Sequence, residues 1–109
     1  MHELAVTREI VDVAAEKAEG ARVRRVVIEI GRLTPVAPDC VRFYFEICAA
    51  GTAVEGAELE IREIAGNARC RACEASLELA GPVEGCGCGS FDLEILAGRE
   101  LRLMELEVY

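Results

Sequence analysis

Histidine is almost absent from this chain of 109 residues, since the only one is His2. The body of the chain therefore has no imidazole to act as a general base, and no nucleophile–base pair can be recognised. Basic residues are also few, with 12 lysines and arginines against 20 aspartates and glutamates. The net charge of −8 repels nucleic-acid backbones, and residues 66–90 contain no basic stripe. We expect neither an enzyme nor a nucleic-acid-binding protein.

Long apolar runs are missing as well. No stretch approaches the roughly 20 apolar residues of a membrane-spanning helix, and the start of the chain lacks the basic and then apolar pattern of a signal peptide. The chain has no internal repeat and can bury one modest core, or a small core beside a lobe held together by a metal. The sequence predicts a cytoplasmic protein that does not bind membranes.

Hydrophobic periodicity predicts an α+β fold. Helical spacing runs over residues 3–19 and ends at Gly20, and a second helix is predicted from Asp39, as its cap, to Ala50. The predicted apolar stripe of this second helix consists of Cys40, Tyr44, Ile47 and Cys48. Alternating patterns predict strands at residues 23–33, 57–62, 91–95 and 100–108.

The order of these elements predicts two lobes. Two helices would pack on a small sheet, and a cysteine-rich lobe would be inserted before the last strand. We assign residues 1–65 plus 98–109 to the α+β domain and residues 66–97 to the cysteine-rich domain. The strand at residues 23–33 is expected to be buried mainly on one face.

Six cysteines are many for so short a chain, and four of them fall within residues 70–88. They form a C-x2-C pair and a C-x-C pair: Cys70, Cys73, Cys86 and Cys88. Two thiolates on each of two turns can close a tetrahedron around one ion at about 2.3 Å per Zn–S bond. Four thiolates select zinc or iron–sulfur chemistry, and we predict one structural zinc.

Other interpretations of the four cysteines remain open at this point. Buried free thiols or a disulfide conflict with a segment as polar as this one. A thiol redox protein would need an accessible cysteine of low pKa, whereas this spacing fits metal closure better. A zinc ribbon that binds other proteins is the strongest alternative. Cys40 and Cys48 lie apart and are expected to pack in the core.

His2 is either a solvated surface residue or a metal ligand. The amine of Met1, the backbone nitrogen of His2 and its imidazole can close consecutive chelate rings, and Glu3 could add a further donor. Such nitrogen-rich planar sites favour nickel or copper. We expect Met1 to be retained, because its removal normally requires a small second residue.

Several motifs together resemble one family over essentially the whole chain. They are Met1-His2-Glu3, Ile30-Gly31-Arg32-Leu33, Gly51-Thr52, the cysteine pairs ending in Cys88-Gly89-Ser90, and Gly98-Arg99-Glu100-Leu101. The chain resembles HypA/HybF, the nickel-insertion proteins of [NiFe]-hydrogenase maturation.

The resemblance implies an exchangeable Ni(II) at His2 and its neighbours Met1 and Glu3, and a structural Zn(II) held by the four clustered cysteines. It also implies delivery of nickel to the hydrogenase large subunit with the partner GTPase HypB. Some members of the family also serve urease. A zinc-ribbon interaction module without nickel remains the alternative function. The sequence leaves the oligomeric state open, and a homodimer is one possible state.

The chain departs from the family pattern at the second cysteine pair. The family usually has C-P-x-C-G there, which would place the first cysteine of the pair at Gly85. Cys86 is therefore a displaced ligand, and the hydrogen bonds of the backbone amides to the sulfurs are expected to differ.

Overall fold

The computed structural model describes residues 3–81 and 84–109. These residues form α1 Glu3–Lys17, β1 Val23–Gly31, α2 Pro38–Ala49, β2 Glu58–Ile64, β3 Gly66–Cys70, β4 Ser76–Leu79, β5 Leu93–Ala97 and β6 Leu101–Val108. The strands make two sheets of three, in the orders β2-β1-β6 and β4-β3-β5. The predicted α+β class, with two helices and small sheets, is confirmed. No helix in these two ranges is long and apolar enough to cross a membrane.

The chain divides into two compact units. Unit 1 comprises residues 1–29, 36–62 and 102–109, and unit 2 comprises residues 30–35 and 63–101. Both helices belong to unit 1, and all four clustered cysteines belong to unit 2. The assignment of a nickel domain to residues 1–65 plus 98–109 and of a zinc domain to residues 66–97 stays a prediction.

The first helix forms where the periodicity predicts it. Thr7, Val11 and Ala14 are fully or almost fully buried, at helical spacings of four and three residues. The Thr7 hydroxyl donates a hydrogen bond of 2.7 Å to the carbonyl oxygen of Glu3, which satisfies this buried polar group. Gly20 has a φ of 88°, the left-handed conformation expected after a helix end.

The second helix differs from the prediction in its start and in its buried face. Its N-cap is Ala37, which makes no side-chain cap, and Pro38 occupies the first turn. The predicted cap at Asp39 is wrong, because Pro38 pre-organises the first helical turn and the cap lies two residues earlier, at Ala37. The buried residues of this helix are Val41, Phe45, Cys48 and Ala49. Core packing is therefore confirmed for Cys48 and wrong for Cys40, which is exposed.

Strand β1 is the central strand of its sheet and is buried more completely than predicted. Val26, Val27 and Ile28 are all 0% exposed, although successive side chains of a strand point to opposite faces. Both faces of β1 are therefore covered, and the prediction of burial on mainly one face is wrong. The half-buried Arg25 donates to Glu107 of β6 at 2.8 Å and also to Glu60 of β2.

The sequence predicted only one of the three strands in the sheet of unit 2. Strand β3 pairs antiparallel with β4 and with β5, and its small core contains Leu33, Ala68 and Leu79. Neither β3 nor β4 was predicted, although Leu77 and Leu79 alternate with Glu78. Phe91, which the alternation placed in a strand, precedes β5 and is 76% exposed.

Candidate metal centres

Four thiols converge in unit 2. The sulfur atoms of Cys70, Cys73, Cys86 and Cys88 all lie within 4.8 Å of one another. The Cys70 and Cys88 sulfurs are 3.7 Å apart, and the Cys73 and Cys86 sulfurs are 3.5 Å apart. A tetrahedral zinc with bonds of about 2.3 Å needs sulfurs about 3.8 Å apart, whereas a disulfide needs roughly 2.05 Å. The donor set and its spacing fit zinc, and the predicted ligand group is brought together.

The first pair of thiols lies on a tight turn after β3. The amides of Cys73 and Ala72 donate hydrogen bonds to the Cys70 sulfur, and the Cys70 amide donates to the carbonyl oxygen of Ala75 at 2.9 Å. Glu74 has a φ of 63° and donates its amide to the Cys70 carbonyl oxygen at 2.8 Å. This turn aims the Cys70 and Cys73 sulfurs at the same point.

The second pair lies on a matching turn despite its shorter spacing. The Cys86 amide donates to the carbonyl oxygen of Ser90, and the Gly89 amide donates to that of Cys86, both at 2.9 Å. Gly89 has a φ of 96°, and the Ser90 amide donates to the Cys88 sulfur. Glycine adopts this φ at no steric cost, so the sequence C-G-C-G can form the turn that a C-x2-C spacing forms elsewhere.

The Phe91 ring lies close to residue 85. A Cβ atom built on Gly85 would lie 2.8 Å from the Cε1 atom of the Phe91 ring. A cysteine at residue 85, where the family pattern places it, would therefore require this ring, which is 76% exposed, to move. A ligand at residue 86 requires no such movement.

An ion pair joins the two cysteine turns. The Arg71 guanidinium donates to the Asp92 carboxylate at 3.0 Å, and the Arg71 amide donates to the Asp92 carbonyl oxygen at the same distance. The Asp92 amide donates in turn to the Ser90 hydroxyl at 3.1 Å. Sequence reasoning missed these supporting residues, because the spacing of Arg71 and Asp92 along the chain carries no signal.

The protonation of the thiols is uneven before any metal binds. Hydrogen bonds from the amides of Cys73 and Ala72, which stabilise a thiolate, lower the pKa of Cys70 to about 6. The Ala75 amide lowers the pKa of Cys73, but the neighbouring thiols of Cys86 and Cys70 outweigh it and raise that pKa to about 12. Backbone amides thus favour the thiolate form of Cys70 more than that of Cys73.

The predicted nickel residues fall partly outside the described residues, since these begin at Glu3. Glu3 opens α1, and its carboxylate accepts a hydrogen bond of 3.1 Å from the Ala37 amide at the start of α2. This contact joins the first residue of α1 to the residue before α2, while Met1 and His2 lie outside the described residues. Sequence reasoning missed Ala37, because backbone donors cannot be identified from residue type.

A groove of about 640 Å³ is lined by Glu3 and by further residues of α1. Leu4 and Ala5 line it together with Tyr44 of α2, and its charged residues are Glu3, Arg8, Glu9 and Asp12. Carboxylates outnumber the guanidinium in this lining. The groove therefore favours positively charged ligands.

Comparison with known proteins shows the family of this chain. The model of a family described as "Hydrogenase/urease nickel incorporation, metallochaperone, hypA" matches residues 1–108. The chain belongs to the HypA family. The resemblance drawn from the motifs is confirmed, and the family is one of nickel metallochaperones and not of enzymes.

Relatives match along nearly their whole length. The hydrogenase maturation factor HypA of Nostoc sp. is 50% identical over 108 residues, which cover 99% of this chain and 96% of the relative. That of Geotalea uraniireducens is 41% identical over 109 residues, covering 99% of both. The solution structure of the Ni metallochaperone HypA from Helicobacter pylori is 26% identical, with a TM-score of 0.69 and coverage of 99% of this chain and 97% of that one.

Proposed function

We propose that this chain is a cytoplasmic carrier that binds Ni(II) at its N-terminus and delivers it to the large subunit of [NiFe]-hydrogenase. The match of the whole chain to a family of nickel-incorporating metallochaperones carries the proposal. The GTPase HypB is the proposed partner in delivery. The four clustered cysteines hold a structural zinc in the same proposal.

The nickel donors in this proposal are the Met1 amine, the backbone nitrogen and imidazole of His2, and the Glu3 carboxylate. The bond between Glu3 and Ala37 supports the proposal, because it holds the Glu3 carboxylate at the first residue of α1, which directly follows Met1 and His2 in the sequence. Binding releases protons from the ligands, so nickel affinity is expected to fall as His2 becomes protonated at mildly acidic pH. A chelate at a chain end exposes the ion to attack by the ligands of a recipient, which suits transfer by ligand exchange.

The cysteine cluster has a different part in this proposal. Four thiolates leave no open position on a tetrahedral zinc, so the ion stabilises the fold and is not handed on. The backbone of this chain also stabilises thiolates, because amides of both turns donate hydrogen bonds to the Cys70 and Cys88 sulfurs. Zinc supplies the charge that draws the remaining thiols into the thiolate form.

Calorimetric titration with nickel tests the proposal. The protein is zinc-loaded and untagged, carries Met1 as its first residue, and is compared with the His2→Ala variant. One nickel per chain is expected for the wild type and none for the variant, while the zinc content of both stays at one. Nickel binding that is absent, or that survives the loss of His2, would instead favour a zinc-ribbon module that binds other proteins.

A further inference from the structure

Helix α2 exposes apolar side chains on the face opposite its buried one. Phe43 is 67% exposed and Ile47 is 57% exposed, and Cys40 is exposed as well. Spacings of three and four residues place these three side chains on one stripe of the helix. Surface helices normally present polar residues to water, so this stripe is a candidate interaction surface.

The stripe continues onto α1. The Phe43 ring packs edge-on against the Tyr44 ring with the centroids 5.3 Å apart, and Tyr44 lines the groove with Leu4, which is 39% exposed. We call these five residues, Leu4, Cys40, Phe43, Tyr44 and Ile47, the α1–α2 face. A flat stripe and a groove together can take an elongated ligand.

Charges around the α1–α2 face restrict what it can bind. The groove has three carboxylates and one guanidinium in its lining, and α2 adds Asp39 and Glu46 against Arg42. The net charge of the whole chain is −8. A second copy would bring like charges together, and an anionic bilayer would be repelled. A positively charged partner is attracted.

The backbone restricts the shape of the ligand. The α1–α2 face consists of residues of two helices and contains no strand, so it offers no strand edge to a peptide. Side-chain packing alone must then recognise the ligand. An amphipathic helix meets this requirement, because it presents apolar side chains along one stripe and keeps lysines or arginines at its margins.

We propose that the α1–α2 face is the docking site for a basic amphipathic helix of a partner protein. The partner would place apolar side chains against Phe43 and Ile47 and basic side chains beside the carboxylates of the rim. This surface requires no nickel and goes beyond the proposed carrier function. Its failure would leave the nickel site untouched.

The test measures fluorescence anisotropy of a labelled peptide against the zinc-loaded full chain. The probe is a peptide of about 18 residues, long enough to form a helix, with leucines on one stripe and lysines elsewhere. Exchanging its lysines for glutamates gives the control peptide. We expect the lysine peptide to bind and the glutamate peptide not to bind.

Two double variants separate packing from charge. Phe43→Ser with Ile47→Ser keeps the net charge and is expected to weaken binding about tenfold or more, because both apolar anchors are lost. Asp39→Asn with Glu46→Gln keeps the apolar stripe and is expected to weaken binding roughly threefold at low salt. The matched control is Leu96→Ser, which removes a leucine that is 58% exposed on β5 and should leave the affinity unchanged.

Three results would overturn the proposal. Undiminished binding by the Phe43→Ser, Ile47→Ser protein would show that charge alone attracts the peptide. An equal loss in Leu96→Ser would show that the peptide binds exposed apolar residues without preference. Self-association of the wild type in sedimentation experiments, abolished by the serine pair, would assign the face to a second copy. Thermal melting and nickel titration of each variant verify that folding and the nickel site are intact.

Discussion

The Glu3 carboxylate accepts a hydrogen bond of 3.1 Å from the backbone amide of Ala37, so the first residue of α1 is tied to the N-cap of α2. One side chain thus satisfies an amide at a helix start, where helices leave their donors unpaired. The same carboxylate is the proposed fourth donor to nickel. These two roles can be separated by substitution.

Replacing Glu3 by glutamine should preserve folding and weaken nickel binding. Glutamine keeps a carbonyl oxygen that can accept the bond from Ala37, whereas alanine removes it and should lower the free energy of unfolding by about 1 kcal/mol. Both variants lose the anionic donor and should bind nickel more weakly. Urea denaturation and calorimetry measure the two effects. Normal nickel affinity in Glu3→Gln with weak affinity in Glu3→Ala would show that Glu3 only positions the site.

Loss of one clustered cysteine should abolish stoichiometric zinc. Serine at residue 86 leaves three thiols, because the oxygen is a poor substitute for a thiolate on zinc. Cys40→Ser is the matched control, since that cysteine is exposed and lies outside the cluster. Thiol titration with and without a chelator, together with zinc analysis, should show one zinc in the control and much less than one in Cys86→Ser. A content of one zinc per chain in Cys86→Ser would show that Cys86 is not a zinc ligand.

The ion pairs of Arg25 should make stability depend on pH. Arg62 and Arg25 hold the pKa of Glu60 below its ordinary value of 4.5, and Arg25 and Arg24 do the same for the pKa of Glu107. Because the pKa of these carboxyls is lower in the folded state, they stabilise the fold above about pH 4.5, and this contribution disappears as the pH falls through the folded pKa.

Arg25→Gln should therefore melt below the wild type at pH 7, and the difference should shrink as the pH approaches 3. Arg24→Gln is the control, because Arg24 is exposed and bonds only to Glu107 at 3.1 Å among the ion pairs of the described ranges. Its effect on melting should be smaller. If the difference in melting temperature between Arg25→Gln and the wild type stays constant from pH 7 to 3, Arg25 acts through packing of its methylene groups.

Gly98 should tolerate no side chain. Its φ is 113°, and a Cβ atom would lie 2.6 Å from the Gly66 Cα atom and 2.8 Å from the Leu33 Cγ atom. Gly98→Ala should thus cost about 2 kcal/mol or more of stability, since neither strain nor overlap can relax easily. A Cβ atom on Gly81 would have no neighbour within 4 Å among residues 3–81 and 84–109, so Gly81→Ala serves as the control. Equal denaturation midpoints for the two variants would contradict the close packing.

The sequence predicted which segments form helices and strands better than it predicted which faces of these elements are buried. Local signals such as Gly20 and the alternation around Ile95 identify a helix end and a strand. Ile47 and Phe45, by contrast, are both apolar residues of α2, and only the position of the helix in the fold decides that Phe45 is buried and Ile47 exposed. Strand β3 was missed because Asn67 and Arg69 interrupt it with polar residues and its pairing partners are distant in the chain.

Sequence reasoning identified the four converging thiols because their chemistry is carried by residue type, while the assignment of metals to the site residues stays a prediction. Thiols at a chelating spacing could be recognised without a fold, and Cys86 was correctly placed with the other three cysteines despite its displacement. The surrounding hydrogen bonds come from backbone amides such as those of Ala72 and Ser90, which every residue possesses. Their contribution could only be seen once the turns were in place.

The close approach of Gly85 and the Phe91 ring connects the evolution of residues 85 and 91. A cysteine at residue 85 needs part of the volume that the Phe91 ring occupies, so the family's spacing requires this exposed ring to turn away or to be replaced by a smaller side chain. Relatives with a cysteine at this position are therefore expected to carry a smaller residue at 91 or a different orientation of its side chain.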